Sequence, residues 1–230
     1  MKKYVFVGLL VLLNFVSYYY EGYLSKASLL FNGFYFVTLL GSAYILCKLE
    51  FKPLVVFSFV VVILGFCDEF LNTESLNWTY FNNAQPPLFV AVGWVSLMVL
   101  IFYGAHHLKK YVDLKTYSVI PVLVCFGLLL LFSYTEGNIT TLTVGLYIFM
   151  VLLGIYSSLS GTFGWNAAIF VTGIIIGSIS ESLGASCMLW SFRSGQLLPL
   201  PIVFMWSARA FCLSGLLKLL KIPADIFKRS

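Results

Sequence analysis

Charged residues are scarce in this sequence. Only 10% of its 230 residues are Asp, Glu, Lys or Arg, while 60% are apolar, and the mean hydropathy is +0.96. Because soluble domains carry about 25% charged residues, this composition excludes a water-soluble globule. It also excludes a disordered chain, which needs low hydrophobicity and high net charge. The net charge of +5 is spread over the ends of apolar segments, which argues against nucleic-acid binding.

Histidine and the common catalytic motifs are also lacking. The two histidines, His106 and His107, are adjacent, so they cannot build the clustered His sites of di-iron desaturases or zinc proteases. The sequence contains no P-loop, no Gly-x-Ser-x-Gly motif and no Asp-rich prenyl-diphosphate motif. We therefore expect neither a metal nor a cofactor.

Long apolar segments dominate what the sequence does contain. A transmembrane helix needs about 20 mostly apolar residues, and eight segments qualify: residues 4–20, 28–48, 53–73, 87–106, 117–134, 141–159, 164–184 and 199–220. Runs such as 59–64 and 126–132 lack the polar alternation of a transmembrane β-strand. These features predict an all-α integral membrane protein with eight transmembrane helices.

The positions of Lys and Arg predict the orientation of these helices. With eight spans both termini lie on one side, and that side holds eleven of the 14 basic residues. The other side holds only Lys26 and Arg193, and Arg209 lies within the last span. We expect both termini in the cytoplasm, and the membrane to be a prokaryotic plasma membrane.

The sequence matches itself without a gap at an offset of 112 residues. The matched pairs include Gly65 with Gly177, Glu69 with Glu181, Trp78 with Trp190, Pro87 with Pro199 and Trp94 with Trp206. Each half contains four spans, so both halves insert the same way and are related by a pseudo-two-fold axis along the membrane normal. We predict two parallel four-helix repeats, residues 1–112 and 113–224, followed by a cytoplasmic tail, 225–230.

Acidic residues inside the predicted spans are the first candidates for function, because a charge in a membrane is costly. Glu69 and Glu181 fall near the outer ends of spans three and seven. Facing one cavity, they could hold a proton for donation near neutral pH. Alternatively, each meets water at the headgroup level or caps a helix end. Asp68 is expected to face the loop, because neighbouring helix residues do not share a face.

Arg209 is the deepest charge, about 15 Å along the helix from Pro199, and Glu181 is its expected partner. Aromatic residues near these charges could stabilise a cation, or simply form an interfacial belt. The candidate catalytic residues are Glu69, Glu181 and Arg209. The candidate substrate-binding residues are Trp78, Tyr80, Trp94, Trp190, Phe192 and Trp206.

The order of these residues resembles that of integral-membrane carotenoid and terpenoid enzymes. The run Glu181-Ser182-Leu183-Gly184, followed by Trp190-Ser191-Phe192, Pro199 and Trp206, resembles the carotenoid hydratases. The spacing from Asp68 and Glu69 to Trp78 resembles that of membrane lycopene and terpene cyclases. The Pro-x-Glu-Glu motif of the cyclases is absent, and Gly93-Trp94 stands near the place where that motif would lie. The Pro-Phe-Gly-x-Tyr run of the hydratases is also absent.

This resemblance implies a cofactor-independent hydratase or cyclase of carotenoid biosynthesis or another terpenoid pathway. One carboxyl group would protonate an alkene of a lipid-soluble isoprenoid, and the other would accept a proton or direct water. Two alternatives remain open at this point. The first is a proton-coupled small-molecule transporter, because parallel repeats with paired carboxyl groups and a deep Arg also fit that function. The second is a structural or assembly protein without a small-molecule site.

Overall fold

Six helices make up most of the described part of the chain. A computed structural model describes residue 12 and residues 51–74, 77–80, 88–112, 119–136, 141–186 and 188–222. The helices are α1 (Phe51–Glu74), α2 (Leu88–Leu108), α3 (Ile120–Glu136), α4 (Thr141–Leu159), α5 (Phe163–Ser186) and α6 (Leu200–Leu219). Among the described residues, three segments are long and apolar enough to cross a membrane: Lys52–Phe70, Phe163–Ser186 and Leu200–Leu219.

The mostly helical fold is confirmed. Each of the six helices coincides with one of the predicted spans from 53–73 onward, while spans 4–20 and 28–48 lie outside the described residues. Three helices carry a proline in their first turn, at Pro53, Pro121 and Pro201. A proline is tolerated there, because the first N–H groups of a helix have no partner within the helix.

A two-stranded ribbon corrects the prediction of a chain without strands. Strand β1 (Trp78–Tyr80) pairs antiparallel with β2 (Trp190–Phe192). In each strand the outer two residues are buried and the middle one is exposed, the alternation of a half-buried strand. The central pair joins Thr79 to Ser191, which are equivalent at the 112-residue offset. The ribbon therefore has a local two-fold axis between these two residues.

The described elements recur at the same offset. Adding 112 to the bounds of α1 and β1 gives the bounds of α5 and β2, and α2 and α6 begin at equivalent residues. A backbone hydrogen bond of 3.0 Å follows α1, from Asn77 N to Asn72 O, and its equivalent, from Leu189 N to Gly184 O, follows α5. Both helices thus end in the same turn before the following strand.

The chain divides into two compact units. In the described residues, the first unit comprises 51–100 and 182–197, and the second comprises 101–181 and 198–222. In the first unit, β1 packs against α1. Its core joins these elements to the first part of α2 and to β2.

Close helix contacts hold the second unit together. Helices α3, α4 and α6 pack against one another, and Gly215 of α6 meets the carbonyl of Leu153 in α4. The Ser207 hydroxyl donates to the carbonyl of Phe170 at 2.8 Å, which joins α6 to α5. Small residues at such crossings let helix backbones approach closely.

Candidate functional site

Glu69 in the first unit is the centre of a buried cluster of aromatic donors. Only 5% of its surface is exposed. Its Oε2 accepts hydrogen bonds from Trp78 Nε1 at 2.9 Å and from the Tyr80 hydroxyl at 2.7 Å. Its Oε1 accepts one from Trp94 Nε1 at 2.9 Å. Both carboxyl oxygens are therefore fixed by side chains that can donate a hydrogen bond and also present an aromatic ring.

Strand β1 explains why two of these donors reach the same oxygen. Trp78 and Tyr80 are two residues apart, so their side chains leave the strand on the same face. That face is buried, whereas Thr79 between them points outward and its hydroxyl lies 3.0 Å from that of Ser191. Three residues of extended chain thus place an indole and a phenol on one carboxylate.

The third donor depends on a glycine. Gly65 precedes Glu69 by one helical turn and lies against the ring of Trp94. A Cβ atom at Gly65 would stand 2.6 Å from Trp94 Cγ, which is well inside van der Waals contact. The absence of a side chain at this position lets the indole lie against α1, with its Nε1 bonded to the carboxyl group.

Further polar residues are buried beside Glu69. Asp68 is 6% exposed, and the prediction that it faces the loop stays a prediction. Asn72 donates to the carbonyl of Asp68 at 2.8 Å, and Asn77 donates to Asn72 Oδ1 at 2.9 Å. Neither asparagine is predicted from the sequence, although Asn72 follows Asp68 by four residues and Asn77 follows Asn72 by five.

The aromatic residues of β2 complete the buried face of the ribbon. Trp190 packs edge-on against Tyr80, with ring centroids 6.1 Å apart, and Phe192 packs in the same way against Trp78, at 6.4 Å. The indole of Trp190 also lies directly on Gly184, where no side chain would fit. Four of the six predicted substrate-binding aromatics therefore lie on one face of the ribbon.

Glu181 in the second unit repeats the carboxyl–indole contact. It is 8% exposed, and its Oε1 accepts a hydrogen bond of 2.7 Å from Trp206 Nε1. A Cβ at Gly177, one turn before Glu181, would lie 2.6 Å from Trp206 Cγ. Glycine, glutamate and tryptophan thus have the same local arrangement as Gly65, Glu69 and Trp94.

Arg209 is joined to Glu181 through Trp206. Its guanidinium carbon lies 4.9 Å from the centroid of the Trp206 ring, and only 2% of the residue is exposed. Trp206 therefore offers its edge to the carboxyl group and its face to the cation. A guanidinium over an indole face is an attractive cation–π contact, strongest where water is excluded. Glu181 is the predicted partner of Arg209, and Trp206 contacts both residues.

The side chains at these two carboxyl groups are of types that can transfer protons and stabilise cations. A buried carboxyl group can donate or accept a proton, and aromatic rings around it can stabilise positive charge. Within the described residues, no group of three or more His, Cys, Asp and Glu side chains could hold a metal ion. The residues placed in the first unit are Glu69, Trp78, Tyr80, Trp94, Trp190 and Phe192, and those in the second are Glu181, Trp206 and Arg209.

No protein-family model, curated protein or solved structure matches this chain.

Proposed function

We propose that this chain is a cofactor-independent membrane enzyme that uses buried carboxyl groups for acid–base chemistry on a lipid-soluble isoprenoid. The observation that carries the proposal is the recurring contact between a buried glutamate and the indole of a tryptophan 25 residues later. Burying a carboxyl group in a membrane protein is costly, and such groups usually belong to functional sites. Here the contact occurs in both compact units.

The architecture that we propose for this enzyme has eight transmembrane helices in two parallel four-helix repeats. Its support is the recurrence of element bounds, glycine contacts and carboxyl–indole bonds at an offset of 112 residues. The two-fold pairing of the ribbon agrees with a pseudo-two-fold axis between repeats. From the distribution of basic residues, we place both termini in the cytoplasm of a prokaryotic cell.

Glu69 is proposed as the proton acceptor. Its two oxygens accept three hydrogen bonds from Trp78, Tyr80 and Trp94, so the carboxylate is held in one orientation before substrate arrives. Fixed groups of this kind stabilise developing charge without having to reorganise during the reaction. The aromatic rings around this carboxylate add to the stabilisation of a carbocation.

Glu181 is proposed as the proton donor, because it is buried and its Oε1 is oriented by Trp206 Nε1 at 2.7 Å. Trp206 orients the carboxyl group, and Arg209 holds Trp206 through its ring face.

The proposed reaction begins when the proton of Glu181 forms a C–H bond with one carbon of a substrate double bond. A carbocation remains on the other carbon, and Glu181 becomes a carboxylate. In hydration, water forms a C–O bond with the cation and gives its surplus proton to a carboxylate. In cyclisation, a second double bond attacks the cation and forms the ring C–C bond, which leaves a new cation. A carbon beside the new cation then loses its proton to a carboxylate, which forms a double bond, and exchange of protons with water restores the carboxyl groups.

Co-expression with a lycopene- or geranylgeranyl-lipid-producing host tests this proposal, with extracted pigments and lipids measured by mass spectrometry. The parent protein is compared with Glu69→Gln, Glu181→Gln and the control Trp165→Phe. Trp165 packs against Phe102 and lies about 24 Å along α5 from Glu181. A product heavier by one water identifies a hydratase, and an isobaric product with altered retention identifies a cyclase. Either product should be lost in both glutamine variants and kept in the control.

An unchanged isoprenoid profile at equal membrane expression would contradict the enzyme proposal. So would a product that persists in both glutamine variants. Loss of the product in Trp165→Phe as well would mean that the variants act by general destabilisation.

A proton-coupled transporter is the second candidate that we propose, and one observation favours it. Arg209 is a buried charge within a helix long enough to cross a membrane, and such charges often mark substrate or proton pathways. Purified protein in proteoliposomes should then take up a solute when a proton gradient is applied. Uptake that is independent of the gradient, or equal in Glu181→Gln, would refute this candidate.

A further inference from the structure

A cluster of lysines lies at one end of the second unit. We use the name lysine cluster for Lys109, Lys110, Lys218 and Lys221. The Lys218 ammonium donates to the carbonyl of Ser157 at 2.8 Å and to the hydroxyl of Ser160 at 2.9 Å. The Lys109 ammonium lies 5.2 Å from the ring centroid of Trp165. Two ammonium groups are thus held near the short connection between α4 and α5.

Acidic residues are missing from the segments that build this end of the unit. Residues 101–112, 155–170 and 214–222 contain four lysines and two histidines but no Asp or Glu. The nearest acidic residues in the sequence, Asp113 and Asp225, lie outside the described residues. Within the described residues, this end of the unit therefore carries a local excess of positive charge.

The lysine cluster lies at the boundary of the candidate spans. Lys218 is in the last turn of α6, Lys109 follows the end of α2, and Trp165 is in the first turn of α5. Helices α5 and α6 are both long and apolar enough to cross a membrane. Lysines and a tryptophan at the ends of transmembrane helices lie at the level of the lipid headgroups.

We propose that the lysine cluster binds the phosphate headgroup of an anionic phospholipid. Charge complementarity and the position at the ends of two spans support this partner rather than a protein or a soluble anion. Basic pockets between transmembrane helices bind anionic lipid headgroups. Lys218 is already ordered by two hydrogen bonds, so binding a headgroup costs less side-chain entropy than it would with a free lysine. This inference does not depend on the proposed enzymatic activity.

Lipid binding by the full-length protein tests the proposal. Purified protein in a neutral detergent is titrated with phosphatidylglycerol or phosphatidylcholine, and the bound lipid is measured by native mass spectrometry. Phosphatidylglycerol should bind at least about fivefold more tightly than phosphatidylcholine, and Lys109→Gln and Lys221→Gln should each weaken its binding about fivefold. The matched controls Lys52→Gln and Arg193→Gln change exposed basic residues elsewhere and should leave binding unchanged.

Three results would overturn the proposal. One is equal affinity for the two lipids, and another is an equal loss in the control variants. The third is displacement of phosphatidylglycerol by millimolar glycerol phosphate, which would identify a site for soluble phosphates instead. Lys218→Gln is measured last, because Lys218 also caps α4 and its loss can unfold the protein without any lipid effect.

Discussion

Replacing Glu69 with glutamine should destabilise the protein, because three hydrogen-bond donors converge on its carboxyl group. Trp78 and Tyr80 share one oxygen, and Trp94 binds the other. Glutamine offers one oxygen and one NH2 group, which can only donate. If its oxygen faces Trp78 and Tyr80, the NH2 group faces the indole N–H of Trp94. At least one buried donor then loses its acceptor, which costs about 1–3 kcal/mol.

A double-mutant cycle gives this reasoning a sharper test. With Trp94→Phe in place, the NH2 group that Glu69→Gln introduces no longer opposes an indole N–H. The cost of Glu69→Gln should then fall below about 1 kcal/mol, although Trp94→Phe itself destabilises the protein. The free energies of unfolding are measured by titration with sodium dodecyl sulfate in mixed micelles. A cost within about 0.5 kcal/mol of zero, or an equal cost in both backgrounds, would refute the assigned hydrogen bonds.

Three further predictions concern a glycine contact, a phenol and a sequon. Gly65→Ala should destabilise the protein by about 1–3 kcal/mol through the clash with Trp94. A Cβ at Gly127 meets no atom of the described residues within 4 Å, so Gly127→Ala should be neutral or slightly stabilising in the same unfolding assay. Tyr80→Phe should cost about 0.5–1.5 kcal/mol, since it removes a hydrogen bond of 2.7 Å to a buried carboxyl group, and a smaller loss would indicate that the phenol does not hold Glu69. Asn77 begins an Asn-x-Thr sequon but is 8% exposed and donates its side-chain amide to a neighbour. It should therefore carry no glycan in a eukaryotic host, and a mass shift removed by a glycosidase would contradict this assignment.

The helices could be predicted from the sequence because each is a long apolar run with clear ends. The prediction of residues 141–159 matches α4 at both ends, and 164–184 differs from α5 by one or two residues at each end. The repeat was also visible, since tryptophan is rare and Trp94 and Trp206 fall into a matched pair. The spacing of apolar residues and the local composition can be read directly from a single sequence.

The contacts of the site could not be predicted in the same way. Three alternating residues, Trp78 to Tyr80, are too few to distinguish a strand from an aromatic loop, and their partner strand lies 112 residues away. The sequence predicts Trp94 as a substrate-binding residue. Its hydrogen bond to Glu69 depends on the rotation of two helices about their axes, which the sequence does not specify. Gly65 is recognisable in the sequence as a repeated residue, but its contact with the indole ring depends on the packing of the two helices.

The central claim is that one arrangement, a buried carboxyl group held by an indole, is built twice in this chain. Nuclear magnetic resonance of protein labelled with 15N-tryptophan tests it most directly, because each of the five tryptophans gives one indole N–H signal. Single Trp→Phe variants assign the signals. Glu69→Gln should shift the Trp78 and Trp94 signals, Glu181→Gln should shift that of Trp206, and Trp165 should stay unchanged in both. Unmoved Trp94 and Trp206 signals in these variants would contradict the account.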